Sequence, residues 1–318
     1  MHDHRILATA RRIIGVALLC VGHAAAAGGP AAATPRLATW NLEWFMSPET
    51  FRALAPTCSG GSDRHHDPRS MPCEVAVHLE RGAGDYAALA GYARRLDADV
   101  IALQEVDGPA AARLVFPGYA FCFTAGHELQ NTGFAVRPGV PFRCGPDVTG
   151  LSLHESLRRG AQLLLYPGTP RELTLLGVHL KSGCPRERLD ARAHACERLA
   201  LQAPELAGWI AAQARAGRRY AILGDFNREL LRDARRGDGL WPILASAAGG
   251  ALHDAAEGQP FRNCWPGQAH PGYIDHILLG GGLVPLPGSF ERPGYDAGDA
   301  LRMRLSDHCP VSVRVRVD

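Results

Sequence analysis

The chain has 318 residues, 46% of them hydrophobic and 21% charged, an ordinary globular composition with ample material for a large buried core. Fibrous, disordered and multi-pass membrane classes are excluded by it. The formal charge is only +2, from 34 basic and 32 acidic side chains with Lys181 the single lysine, so a protein that coats nucleic acid through general basicity is excluded too.

Residues 1–27 read as a secretory signal peptide. Arg5, Arg11 and Arg12 form its positive start, Ile13 to Val21 an apolar stretch too short to span a bilayer, and Ala24 to Ala27 a small-residue cleavage region. The competing reading is a buried or membrane-anchoring N-terminal helix. Lipidation at Cys20 and a twin-arginine signal at Arg11-Arg12 both fit their flanking residues poorly. Removal of this segment leaves acids and bases in balance, so any phosphate recognition must be local. It also removes Cys20 and leaves an even set: Cys58, Cys73, Cys122, Cys144, Cys184, Cys196, Cys264 and Cys309. In an exported chain that argues for disulfides. Sequential pairing is expected, because 58/73, 122/144 and 184/196 each close a short stretch and leave 264/309. No two cysteines have the spacing of a zinc site.

Residues 28–318 read as one domain in which strands and helices interleave without a linker. The first candidate strand, Leu37–Asn41, leads into a polar segment, 46–84, that looks like a disulfide-tied surface loop; its His65-His66-Asp67 is a weak second metal-site candidate. A helix is expected over Asp85–Leu96. Strands follow at Val100–Gln104, Ala120–Phe123, Thr132–Val136, Gln162–Tyr166 and Leu173–Leu180. The long segment Ala191–Ala216 repeats Leu199, Leu206, Trp209 and Ile210 at helical spacing. Strands at Tyr220–Asp225, Ile274–Leu279 and Val311–Val317 complete the series, with a Gly- and Pro-rich loop over Gly280–Gly298.

The chemistry sits at the ends of these strands. Asn41 and Glu43 close the first, Glu105 the second, His179 lies in Val178-His179-Leu180-Lys181, and Asp225 and Asn227 close Leu223-Gly224-Asp225-Phe226-Asn227. Asp275 lies in Ile274-Asp275-His276-Ile277, and Asp307-His308 precede the last strand. Singly, Asp225, Asn227 and Asp307 would pass for turn residues, and the histidines for satisfied strand-end side chains. Strand ends of a layered sheet converge on one edge, so the set would meet in one cleft. Carboxylates and amide oxygens suit Mg²⁺, Mn²⁺ or Ca²⁺, and histidine beside carboxylate suits contact with a phosphoryl oxygen or a leaving group. No nucleophile elbow, P-loop or H-E-x-x-H is present. Metal-assisted hydrolysis of a phosphate ester by water is what this inventory supports.

These motifs, in this order, resemble the endonuclease/exonuclease/phosphatase superfamily (DNase I-like) from Leu37 to about Val317. The resemblance implies an α/β four-layer sandwich, two mostly antiparallel sheets face to face with helices outside. It implies Glu105 as the main metal ligand, Asn41 beside it and Asp307 helping directly or through water, with Glu43 acting from behind them. Asp225 would orient or deprotonate the attacking water, and Asn227 would hold that aspartate and a phosphate oxygen. His308 would meet the scissile phosphate as an imidazolium backed by Asp275, and His179 the phosphate or leaving group. Arg159 aligns loosely with a family arginine that touches phosphate. His276 and Lys181 should face away, by strand alternation. Which group is the base stays open.

Nucleic acid is the expected substrate, because Arg186, Arg188, Arg228, Arg232, Arg235 and Arg236 would border the cleft and follow a phosphate backbone. The alternatives are a phospholipid phosphodiesterase of the sphingomyelinase kind, a phosphatase, or a non-catalytic binding or toxin subunit. The lipid enzyme should carry an exposed apolar hairpin, and 280–293 has no cluster of Trp. The non-catalytic protein should have lost Glu105, Asp225 or His308. A secreted or periplasmic monomer is the expected form.

Overall fold

The computed structural model describes residues 34–60, 69–126, 128–268 and 272–317. The proposed signal peptide and His65-His66-Asp67 lie outside them.

The described residues form eleven strands in two sheets. In chain order they are β1 Arg36–Phe45, β2 Val100–Val106, β3 Ala120–Phe123, β4 Asn131–Val136, β5 Phe142–Cys144, β6 Ala161–Leu165, β7 Leu173–His179, β8 Tyr220–Asp225, β9 His253–Asp254, β10 Asp275–Gly280 and β11 Val311–Arg314. The helices are α1 Pro48–Leu54, α2 Cys73–His78, α3 Ala83–Leu96, α4 Pro109–Ala112, α5 His194–Arg215, α6 Leu230–Arg236, α7 Leu240–Ala247 and α8 Ala297–Arg302. One sheet runs β11-β1-β2-β4-β3, the other β5-β6-β7-β8-β10-β9. Only the pairs β1/β2 and β7/β8 are parallel, so both sheets are mostly antiparallel, as expected.

Period-two alternation sorts each strand between two cores. Leu37, Val100, Ala102 and Phe134 of the first sheet meet Leu173, Leu175, Ala221, Leu223, Ile277 and Leu279 of the second. The opposite face of the first sheet, with Trp40, Ile101 and Leu103, packs on Leu89 and Leu96 of α3. The opposite face of the second, with Leu176, Val178 and Ile222, packs on Leu199, Leu206 and Ile210 of α5 and Leu244 of α7. The result is the four-layer α/β sandwich. β7 and β8 approach so closely that a Cβ at Gly224 would lie 2.0 Å from the Val178 carbonyl oxygen.

The segment 46–84 departs from a bare loop. Its described part carries α1 and α2, whose Phe51 and Val75 pack with Met46, Met71 and Leu129 into a small satellite core. Too few apolar residues at helical spacing mark these short helices in the sequence. Ser47 caps α1 by accepting from Thr50 N–H at 3.1 Å. The four disulfides are the sequential ones, Cys58–Cys73, Cys122–Cys144, Cys184–Cys196 and Cys264–Cys309. No described helix is long and apolar enough to cross a membrane.

Candidate active site

Three site residues are placed by alternation alone. Along β7, β8 and β10 the inward positions end at His179, Asp225 and Asp275, and these three stand abreast: His179 pairs in register with Asp225, and Asp225 with Asp275. Because β10 runs antiparallel to β8, the start of one strand meets the end of the other at a single sheet edge. Asn41, inward on β1 after Leu37 and Thr39, faces them across the sandwich.

Two other residues arrive by breaking the alternation. Glu105 would share the outer face with Ile101 and Leu103, but its φ of 60° and the register shift between Leu103 and Val106 swing it inward. Glu43 (φ 51°) and Trp44 (φ 45°) form the matching bulge in β1, and Asn227 (φ 50°) turns the chain after β8. Left-handed conformations at non-glycine residues cost about 1–3 kcal/mol each, and four of them, at Glu43, Trp44, Glu105 and Asn227, stand at this end of the sandwich.

The side chains interlock. Asn41 Nδ2 donates to Glu105 Oε1 and to Asp225 Oδ2, both at 3.1 Å, while its Oδ1 accepts from Glu43 N–H at 2.9 Å. Glu105 Oε2 accepts from Trp44 N–H at 3.0 Å and from Gln130 at 2.5 Å. Asp225 accepts from Asn227 N–H at 2.7 Å and from its amide at 3.1 Å. Asn41 is thus spent on fixing two carboxylates, and Asn227 on one carboxylate and the Leu180 carbonyl, 3.2 Å away.

His308 Nδ1 lies 2.8 Å from Asp275 Oδ2, and Nε2 lies 3.8 Å from Asp225 Oδ2 and 3.9 Å from Asp307 Oδ1. Burial alone would lower the affinity of this imidazole for a proton, but Asp275 and then Asp225 outweigh it and hold the pKa well above the usual histidine value. His179 is shifted the opposite way, chiefly by burial and then by the Arg158 guanidinium, 2.7 Å from Nε2 and 3.2 Å from Nδ1. A guanidinium only donates and a neutral imidazole accepts at one nitrogen, so Arg158 bonds to one of the two, and its charge with burial disfavours the imidazolium. One imidazole of the site is therefore cationic and the other an acceptor.

The acids crowd one another. Burial, with Asp307 adding repulsion, pushes Glu43 to about 7. Asp225 is raised to about 7 by burial, with Asp275 and Glu105 working against His308. Relief of such crowding is what a divalent cation supplies, and carboxylates are the hard oxygen donors such an ion takes. Asp225, Asp275 and His308 also bring ligand-type atoms within 4.8 Å of one another, but His308 is committed to Asp275 through Nδ1.

Several expectations change. Arg159 is bound to Asp147 and Glu155 at 3.2 and 3.0 Å; its neighbour Arg158 is the arginine that reaches the site. β6 starts only at Ala161, so its alternation ranks neither. Gln130, just before β4, and Arg81, which donates to the carbonyls of Glu43 and Leu305, also went unread. Arg228 is not at a cleft border but fully buried against Asp233 at 2.8 Å, and Arg186, Arg188 and Arg236 are paired with Glu229, Asp190 and Asp238. His276 lies outside the site, as alternation predicts.

Residues 38–308 match the Endonuclease/Exonuclease/phosphatase family, and the chain belongs to it. Solved structures share the fold at low identity. One is an endonuclease/exonuclease/phosphatase from Bacteroides vulgatus, with 13% identity and a TM-score of 0.57 over 90% of this chain and all of that one. Truncated TDP2 of Caenorhabditis elegans has 14% identity and a TM-score of 0.54 over 89% of this chain and 98% of that one. The human Nocturnin catalytic domain with bound sulfate has 13% identity and a TM-score of 0.52, covering 90% and 94%. No curated protein sequence matches the chain. The family is one of hydrolases acting on phosphate esters, generally with a divalent metal.

Proposed function

We propose that the chain is an exported, divalent-metal-dependent phosphodiesterase that cleaves nucleic acid with an activated water. The observation that carries this reading is the convergence of Glu105 and His308 from the first sheet with Asp225 and Asp275 from the second at one end of the sandwich, with a cationic imidazole facing the carboxylates.

Glu105 and Asp307 would hold the ion, with Asn41 fixing Glu105, and a bound Mg²⁺ or Mn²⁺ supplies charge neutralisation at a phosphate oxygen. Asp225, oriented by Asn41 and Asn227, accepts a proton from the attacking water as the new P–O bond forms. His308, charged and backed by Asp275, binds a non-bridging oxygen as negative charge develops there. Arg158, held by neutral His179, donates to the leaving oxygen as its P–O bond breaks, and that oxygen takes its proton from solvent water while Asp225 later returns its own to solvent. Glu43, held by Arg81, orients the Asp307 backbone N–H at 3.0 Å. The paired state of eight cysteines supports export.

A metal-supplemented panel of duplex and single-stranded DNA, RNA, sphingomyelin and p-nitrophenyl phosphate esters tests the reading. Nucleic-acid cleavage that EDTA abolishes is expected, and release from sphingomyelin alone would overturn the substrate choice. Recovery of the protein, lacking residues 1–27, from periplasm or medium tests export.

A further inference from the structure

A second recess adjoins the site. It has a volume of about 590 Å³ and is lined by Arg262, Asn263, Trp265, Arg292 and Tyr295 together with Cys264. Trp265 and Tyr295 stack with centroids 6.1 Å apart and an interplanar angle of 29°. The same two residues line a smaller hollow of about 230 Å³ that Glu43, Ser306 and Asp307 also border. The aromatic pair is therefore a shared wall between the recess and the acidic edge.

This wall is tied directly to the catalytic histidine. The Tyr295 hydroxyl donates to the His308 carbonyl, Cys264 is bonded to Cys309, and Gln268 donates to the Asp307 carbonyl. Arg292 lies over the rings of Phe261 and Tyr273, 4.9 and 5.7 Å from their centroids, and donates to the Arg262 carbonyl. Its Nε is buried without a hydrogen-bond partner. Among the described residues, neither Arg262 nor Arg292 forms an ion pair, whereas Arg36, Arg159, Arg186, Arg188, Arg228 and Arg236 all do. Arg262, Arg292 and an aromatic wall thus line one open volume of the size that small-molecule sites occupy, about 300–1,000 Å³.

We propose that this recess is a subsite for the nucleotide unit next to the scissile phosphate, with Trp265 as the surface for the base and Arg262 and Arg292 attracting the following phosphate. It rests on the phosphodiesterase reading above. The same charges disfavour a choline head group, whose cation would meet two guanidiniums beside the rings.

Titration of the full chain in EDTA with the dinucleotide pTpT, followed by calorimetry and tryptophan fluorescence, tests the assignment without turnover. Trp265→Ala and Arg262→Glu should each weaken binding by at least about fivefold, the lower range for a base stacked on an aromatic side chain. Arg188→Glu, on an exposed arginine paired with Asp190, should bind as the parent does, and phosphocholine should not compete. Absent pTpT binding, binding that neither recess variant alters, or competition by phosphocholine equal to that of pTpT would overturn the subsite. Failure of the underlying reading looks different: pTpT binds in the recess, but the chain supplied with Mg²⁺ or Mn²⁺ hydrolyses no phosphate diester.

Discussion

Asp275 and His276 are consecutive on β10, and each belongs to a buried histidine–aspartate pair on its own side of the sheet. Asp275 faces inward to His308 at 2.8 Å; His276 faces outward to Asp254 at 2.7 Å. Both imidazoles are raised in pKa by the partnering carboxylate against the opposing effect of burial. The difference lies in the other nitrogen. His276 Nε2 meets the carbonyls of Arg228 and Tyr273 at 3.0 and 3.1 Å, and nothing is left to bind. His308 Nε2 instead faces the site, with the carboxylate oxygens of Asp225 and Asp307 at 3.8 and 3.9 Å. The same dyad is a clamp where its second nitrogen faces backbone carbonyls and a reagent where it faces the acids of the site. His276 joins the loop after Asp225 to the loop before Asp275, so the clamp also holds the reagent's neighbours in place.

Reciprocal alanine variants should separate the two most sharply. His308→Ala should lower phosphodiester hydrolysis at least about 100-fold, the range for loss of an acid–base or charge-stabilising group, with Asp225→Ala alike. His276→Ala should instead cost about 3–5 kcal/mol in urea denaturation, because it leaves the Asp254 carboxylate buried without its partner. A fully active His308→Ala, or a His276→Ala of parental stability, breaks the contrast. Chelation is the companion measurement: EDTA should abolish turnover, and Mg²⁺ or Mn²⁺ should restore it.

A smaller effect should distinguish two adjacent arginines. Arg158→Ala removes the guanidinium beside His179 and should reduce kcat about tenfold, as a charged hydrogen bond lost near the reacting phosphate would. Arg159→Ala removes only partly exposed ion pairs and should change kcat less than about twofold. Equal losses would mean that the Arg158 contact does not govern the site.

These contrasts also mark what the sequence made legible. Alternation along Ile274–Leu279 turns Asp275 and His276 to opposite faces, as the structure has them, because β10 is regular along its length. Glu105 was found by its motif and not by its period: alternation assigns it to the wrong face, and only the bulge with φ 60° corrects it. Arg158 was missed since no period covers residues ahead of Ala161. Gln130 and Arg81 were missed because they act on Glu105 and on backbone carbonyls across long sequence separations, with no local pattern to announce them. Arg186, Arg188, Arg228 and Arg236 pair with acids that a count of cations does not reveal; Arg228 is satisfied by Asp233, five residues on.

The smallest effect concerns pH, and its sign follows from the clamp. His276 takes up a proton more readily in the folded chain than the unfolded reference of 6.5, through the Asp254 carboxylate beside it. Its contribution to stability is therefore fully present below about pH 6.5 and is lost as pH rises through the raised folded-state value. His308, raised in the same direction, adds a parallel loss, so the parent curve alone does not isolate the clamp. The difference between parent and His276→Gln does. Urea midpoints measured in parallel from pH 6 to pH 9 should show a gap that narrows as the medium becomes alkaline, since the variant lacks the titrating group while His308 cancels. A gap that holds constant or widens would mean that His276 is neutral in the fold, and the two dyads would then differ in charge as well as in the fate of their second nitrogen.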